Sequence, residues 1–181
     1  ATTDANSGLI NMDTLEVNGT IALTTDGTGD ATIVNDDEID FANSTVRGAL
    51  SATATTSHIT DTGTLTITGA STFITRATGS NIELNSSGNA FAAAVTMKAE
   101  TNGSEAFGNI AFVDSAAVKL HSAAGTNGDL FIDGSTDGAV GGTLSITATT
   151  GDITQGLALG VTGTSSFTTS ANNGVITLSN T

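Results

Sequence analysis

The chain has no Cys, Pro, Trp or Tyr, and only 12% of its 181 residues are charged, about half the roughly 25% of an average globular domain. Without Cys there is no disulfide framework, thiolate metal site or Cys nucleophile. The redox compartment stays open, since a large secreted protein can manage without bridges. No apolar run approaches the ~18 residues that span a bilayer, so membrane insertion is not expected. Residues Ala1-Thr2-Thr3-Asp4-Ala5-Asn6 lack the basic and apolar regions of a signal peptide, and they lack Met, which suggests a processed form or a piece of something longer. Cations are scarcest of all. Four Lys+Arg stand against 18 Asp+Glu, for a net charge of −14, and Arg47, Arg76, Lys98 and Lys119 each stand alone. A nucleic-acid backbone or an anionic membrane surface needs clustered cations, so neither is expected as a partner.

Hydroxyl side chains and Gly take the place of what is missing: 35 Thr, 17 Ser and 22 Gly. Disordered chains are also poor in large apolar residues, but here the apolar residues recur on a regular spacing, which such chains seldom show. Sliding the chain on itself gives one strong offset. Residues 50–87 overlay 144–181 without gaps, with 17 of 38 pairs identical. Leu50-Ser51-Ala52-Thr53-Ala54-Thr55-Thr56 matches Leu144-Ser145-Ile146-Thr147-Ala148-Thr149-Thr150 at all but one position, and Leu65, Gly69, Phe73, Ile82 and Leu84 meet Leu159, Gly163, Phe167, Ile176 and Leu178. His58, Arg76 and Glu83 meet Asp152, Ser170 and Thr177. The interior and the turns repeat; the reactive groups do not.

Within each copy, apolar clusters lie roughly eight to ten residues apart, separated by Gly, Asn, Asp, Ser and Thr, which suit turns. Inside a cluster the pattern alternates, as in Thr64-Leu65-Thr66-Ile67-Thr68, so Leu and Ile share one face of a strand and Thr the other. Branching at Cβ favours strands as well. Two architectures suit many short strands: an antiparallel sandwich or barrel, and a parallel β-solenoid. A duplicated block simply extends a solenoid, whereas a sandwich would need a second domain, so the expected fold is an all-β parallel β-helix. At roughly 19–24 residues per turn it would have about eight or nine coils about 4.8 Å apart, a rod near 40 Å long. Ala92-Ala93-Ala94 and Gly141-Gly142 are expected at narrow corners, and stacked Thr, Ser and Asn side chains are expected to form ladders. The Ala-rich segment 90–124 favours strand, with a short helix as the alternative. The whole chain reads as one solenoid segment, with residues 1–49 as acidic, divergent N-terminal coils that hold nine of the 18 acidic residues.

The run from Gly151 through Leu157-Ala158-Leu159-Gly160-Val161 to Phe167-Thr168-Thr169, followed by Ala171-Asn172-Asn173-Gly174-Val175-Ile176-Thr177-Leu178, resembles the degenerate repeats of filamentous-haemagglutinin-like bacterial surface adhesins. Asn89-Ala90-Phe91-Ala92-Ala93-Ala94-Val95 is similar to an Asn-Asp-Phe-Gly-Gly-Ala-Val element of such repeats, with Ala at the Gly positions. The resemblance covers residues 50–181. It implies a right-handed parallel β-helix in a long secreted rod that holds other modules away from the cell.

Candidate chemistry is sparse. His58 falls at a variable turn and His121 on the outward side of an alternating stretch, both reading as solvated. No Gly-x-Ser-x-Gly elbow supports a Ser nucleophile. The turn Asp26-Gly27-Thr28-Gly29-Asp30, the cluster Asp36-Asp37-Glu38-Ile39-Asp40 and the turn Asp133-Gly134-Ser135-Thr136-Asp137 raise calcium, which takes six to eight oxygen ligands. The candidate ligands are Asp26, Asp30, Asp36, Asp37 and Asp40. Their spacings fit neither the EF-hand nor the acidic nonapeptide repeat, and a solvated acidic face that discourages edge pairing is the favoured reading. No other cofactor is indicated. Glycosidic cleavage needs two carboxylates, which Asp36, Asp37 and Asp40 could supply, but sugar-stacking Trp and Tyr are absent, and all seven Phe lie in or beside apolar clusters. The expected function is structural and non-enzymatic: an extracellular rod of a bacterial surface or fibrous protein. A self-assembling filament subunit joined through open β-edges is the main alternative, and a polysaccharide-acting β-helix a weaker one. The second copy breaks off at Thr181, where flanking chain, a cap or an identical subunit is expected to follow.

Overall fold

A computed structural model describes residues 1–3, 6–99, 108–120, 129–132 and 139–179. The described residues form 21 short strands and no helix, and every strand pairing is parallel. Alternation explains the strands. In Ala31–Asn35, Ser71–Thr75 and Val95–Ala99 every second residue is buried and the intervening ones are half-exposed, as period two requires. A segment that buries one face but has only three to five residues cannot close a core alone; stacking on its equivalent in the next turn does so.

Ile10–Leu15, Ala31–Asn35, Leu50–Ala54, Ser71–Thr75 and Val95–Ala99 begin a nine-stranded sheet that continues through Asp129–Ile132, Val118–Leu120, Ile153–Gln155 and Ile176–Thr177. Thr20–Ile21, Ile39–Phe41, Ile59–Asp61, Ile82–Leu84, Ile110–Asp114, Leu144–Ala148 and Ser165–Thr169 form a seven-stranded sheet in chain order. Ser44–Val46, Leu65–Ile67 and Ala90–Phe91 make a third sheet, and Ala139–Val140 with Gly160–Val161 a fourth. The molecule is a parallel β-solenoid. The seven-stranded sheet contributes one strand per turn, which gives about seven turns and not the eight or nine expected. The reason lies in coil length: Ile59 stands in register with Ile82, Ile110, Leu144 and Ser165 in turn, at intervals of 23, 28, 34 and 21 residues. Two coils exceed any regular repeat and consume the chain that another turn would have used.

The register aligns like with like. Ile39, Ile59, Ile82, Ile110 and Leu144 stack in one interior column, all 3% exposed or less. Met12, Ile33, Ala52, Phe73, Met97 and Ile132 stack in another, where small Ala52 lies beneath Phe73. On the outer side of the same strands Thr32, Ser51, Thr72 and Thr96 form a hydroxyl column. Four Phe rings climb the core: Phe41, Phe73 and Phe91 meet edge to face at 6.2 and 6.1 Å, and Phe91 tilts against Phe112 at 5.1 Å. Such contacts each add about 1 kcal/mol beyond area burial. Phe167 is only partly buried, Phe131 occupies an outward, half-exposed position beside Thr96, and Phe107 lies outside the described residues. Four Phe are thus core residues, and Phe167 packs against the core while partly exposed. The described part of the Ala-rich segment is strand: Ala90–Phe91, Val95–Ala99, Ile110–Asp114 and Val118–Leu120.

The duplicated blocks do not sit alike. Leu50–Ala54 belongs to the nine-stranded sheet, and its counterpart Leu144–Ala148 to the seven-stranded one; Ile59–Asp61 and Ile153–Gln155 are exchanged in the opposite sense. Glycines confirm the exchange. Gly29, Gly48 and Gly69 stack just ahead of the nine-stranded sheet, with Gly48 and Gly69 each donating to the glycine of the preceding turn at 2.9 Å. Their counterparts Gly142 and Gly163 stack ahead of the seven-stranded sheet, with Gly163 donating to Gly142. A Cβ on Gly69 would lie 2.4 Å from the Gly48 carbonyl carbon, and one on Gly163 2.5 Å from the Gly142 oxygen. The turns approach too closely for any side chain.

Gly69→Val should therefore cost about 3 kcal/mol, at the upper end of overpacking effects. Thr72→Ala, on the outer column, should stay within about 0.5 kcal/mol. Urea denaturation of both variants measures this, and equal midpoints would contradict the glycine stack.

Candidate functional site

Polar side chains gather at the corners, where the chain leaves one sheet for the next and backbone groups lose their strand partners. Asn35 shows the principle. It is fully buried; its Oδ1 accepts from the Val17 amide at 2.9 Å, and its Nδ2 donates to the carbonyls of Val17 and Glu38 at 2.8 and 2.6 Å. Ahead of the seven-stranded sheet, side chains carry the ladder from turn to turn. The Asn81 amide donates to His58 Nδ1 at 2.9 Å, the Asn109 amide to Asn81 Oδ1 at 2.8 Å, and the Thr143 amide to Asn109 Oδ1 at 2.8 Å. His58 thus takes part in a corner ladder through Nδ1 and does not project free into solvent as expected. His121 lies outside the described residues.

A second corner holds two buried carboxyl groups, Asp61 and Asp114. Asp61 Oδ1 accepts from the Asn85 amide at 2.8 Å, and Asp61 Oδ2 from Asn89 Nδ2 at 2.5 Å, while Asn89 Oδ1 accepts from the Leu65 amide. Two turns beyond Asp61, Asp114 Oδ1 accepts from the Phe91 amide at 3.1 Å, and the Ser115 amide donates to the Asn89 carbonyl. Burial pushes both carboxyl groups above the ordinary 3.8. At Asp61 the Asn89 side chain and the Asn85 and Ser86 amides oppose the rise; at Asp114 the amides of Phe91, Ala116 and Ser115 do so. The residue types at 61 and 114 gave no sequence signal, because Asp in a turn-rich stretch reads as solvated.

The calcium candidates divide between two corners. Asp26 and Asp30 lie in the turn before Ala31–Asn35, and Asp36, Asp37 and Asp40 lie beyond that strand. Four of the five are bonded to this chain. Asp26 Oδ1 takes the Gly27 amide, Asp30 Oδ1 the Ala49 amide and Asp37 Oδ1 the Glu38 amide, each within 2.9 Å, and the Asp40 carboxylate takes the Thr62 amide and hydroxyl. Asp37, Glu38 and Asp40 line a small hollow of about 180 Å³ with Asn18, Gly19 and Thr20. Asp36 lines a neighbouring groove with Asp13, Leu15 and Glu16. Among the described residues no group of three or more His, Cys, Asp or Glu could hold a metal ion. Residues 133–137 lie outside the described set. No helix among the described residues is long and apolar enough to cross a membrane.

The fold and its corner ladders define a repeat protein of the parallel β-solenoid class. Within that class, residues 28–98 and 108–181 each match one family model, described as Repeats of unknown function (DUF5649), and the chain belongs to that family. Each matched stretch begins upstream of its block of the gapless self-overlay, the first of them inside residues 1–49. No curated protein and no solved structure matches.

Two outcomes follow. A carboxyl whose folded pKa is raised binds its proton more tightly in the native state, so its contribution to stability falls as pH rises from about 3.8 through the raised value. Stability should accordingly increase as pH falls through the raised values toward 3.8, and Asp114→Asn should show a shallower increase than the parent chain in thermal melts across that interval. A parent chain with a flat or opposite slope would contradict the buried-acid reading. Because four of the candidate carboxylates already accept bonds from the chain, the melting temperature should be the same with millimolar calcium and with a chelator; a calcium-dependent rise would restore the metal reading.

Proposed function

We propose that this chain is a structural segment of an extracellular or cell-surface bacterial rod, acting through shape and stiffness and not through chemistry. The observation that carries the reading is the unbroken interior register from Ile39 to Leu144, which makes each turn a spacer of fixed rise. The outer hydroxyl columns and the likeness to adhesin repeats agree with a surface rod. Backbone hydrogen bonds between turns run along the axis and resist extension, and added repeats lengthen the rod without new design.

A second reading is end-to-end joining with identical copies: residues 153–181 carry no charge, and charge is what usually blunts a strand edge.

Electron microscopy of the purified chain over a range of concentrations tests both. The rod reading expects short particles of constant length, and the joining reading expects unbranched fibres that lengthen with concentration. Release of new reducing ends from a panel of polysaccharides would overturn the non-enzymatic reading.

A further inference from the structure

The chain contains four Asn-Gly pairs, at 18–19, 102–103, 127–128 and 173–174. The second and third lie outside the described residues, and the structure treats the other two differently. Thr20 pairs with Asp40 and Ile21 with Phe41, so Gly19 occupies the first-turn position of the column that continues as Ile39, Ile59, Ile82, Ile110 and Leu144. In that column Ile39, Ile59, Ile82, Ile110 and Leu144 each donate their amide to the carbonyl just before the stacked residue of the next turn, at 2.9–3.0 Å. For Gly19 that acceptor would be the Glu38 carbonyl, which takes Asn35 Nδ2 at 2.6 Å instead. Among the described residues the Gly19 amide makes no hydrogen bond.

The Asn18 side chain stands out in the same way. Asn81 and Asn109, at the same corner in later turns, have their Oδ1 atoms occupied by the Asn109 and Thr143 amides. Asn18 has no such partner, because the Glu38 amide above it donates to Asp37 Oδ1. Asn18 and Gly19 are both exposed, and no atom lies within 4 Å of a Cβ built on Gly19. Asn173-Gly174 is held: the Gly174 amide donates to the Ala171 carbonyl at 3.0 Å, and a Cβ there would lie 2.4 Å from Thr169 Oγ1.

We propose that Asn18 is a site of spontaneous covalent modification in the folded protein, an intramolecular deamidation from which the fold protects Asn173. The Gly19 backbone nitrogen gives up its proton and bonds to Asn18 Cγ. The bond from Cγ to the side-chain nitrogen breaks, and ammonia leaves with the transferred proton. Water then opens the resulting succinimide to isoaspartate or aspartate. No oxidant or other co-reactant is required. The product places one more carboxylate in the hollow that Asp37, Glu38 and Asp40 already line, and the isoaspartyl form lengthens the backbone at the turn between Ile10–Leu15 and Thr20–Ile21.

The test incubates the native chain at mildly alkaline pH, below its melting temperature, with a parallel sample in urea, and maps peptides by mass spectrometry at intervals. In the native sample the peptide containing Asn18 should gain the mass difference between amide and acid, while the Asn173 peptide stays unchanged. In urea both should convert at comparable rates. Gly19→Ala, which the open space accommodates, and Asn18→Gln should each abolish the native conversion. An Asn18 peptide that keeps its amide in the native chain but converts in urea overturns the proposal, as does native conversion of Asn173 as fast as that of Asn18.

Discussion

Everything in this molecule depends on each turn returning to the same register above the last. The individual strands are two to six residues long, far too short to be stable alone, and an isolated pair would be marginal in water. Parallel pairing of each strand with its equivalent one turn away satisfies the backbone and closes the core in a single step. The glycine stacks set how near the turns can come, the aliphatic columns fill the interior, and the corner ladders of Asn, Asp and His58 hold the backbone groups that strand pairing leaves over.

That dependence explains the coexistence of strict and loose regions. Ile82, Ile110 and Leu144 remain in register although 28 and 34 residues separate them. A coil can therefore take up extra chain without losing the register of the strands on either side. Loop closure penalises such length only weakly, whereas a one-residue slip in a strand would turn its apolar face outward. The sheets are conserved in geometry while the connections between them vary. Even the order of stacking is not fixed to chain order, since Asp129–Ile132 lies between Val95–Ala99 and Val118–Leu120.

Much of this was legible in the residues. Alternation in Thr64-Leu65-Thr66-Ile67-Thr68 gave the strand and its buried face, and the gapless overlay of 50–87 on 144–181 gave the solenoid over a sandwich. Turn count was not legible, because the lengths of the two long coils follow from where Ile110 and Leu144 land and not from composition. The exchange of sheets was also hidden: identity between Leu50 and Leu144 says that the residues are equivalent but not which side of the column they occupy. At the corners, Asp61 and Asn89 looked like any turn residues, and only stacking reveals that they bury and bond one another. The acidic cluster was located correctly as a surface feature, but sequence could not reveal that Asp30 and Asp40 are engaged by amides a full turn away.

The exchange of sheets has a geometric consequence. From Leu50 the chain passes one side to reach Ile59–Asp61, and three further steps in the seven-stranded sheet bring it to Leu144–Ala148. The duplicated unit thus amounts to three revolutions and a fraction, not a whole number. In any array built by copying this unit, corresponding surface positions would advance around the shaft like the treads of a spiral stair, and a feature carried by one unit would point in a new compass direction on the next.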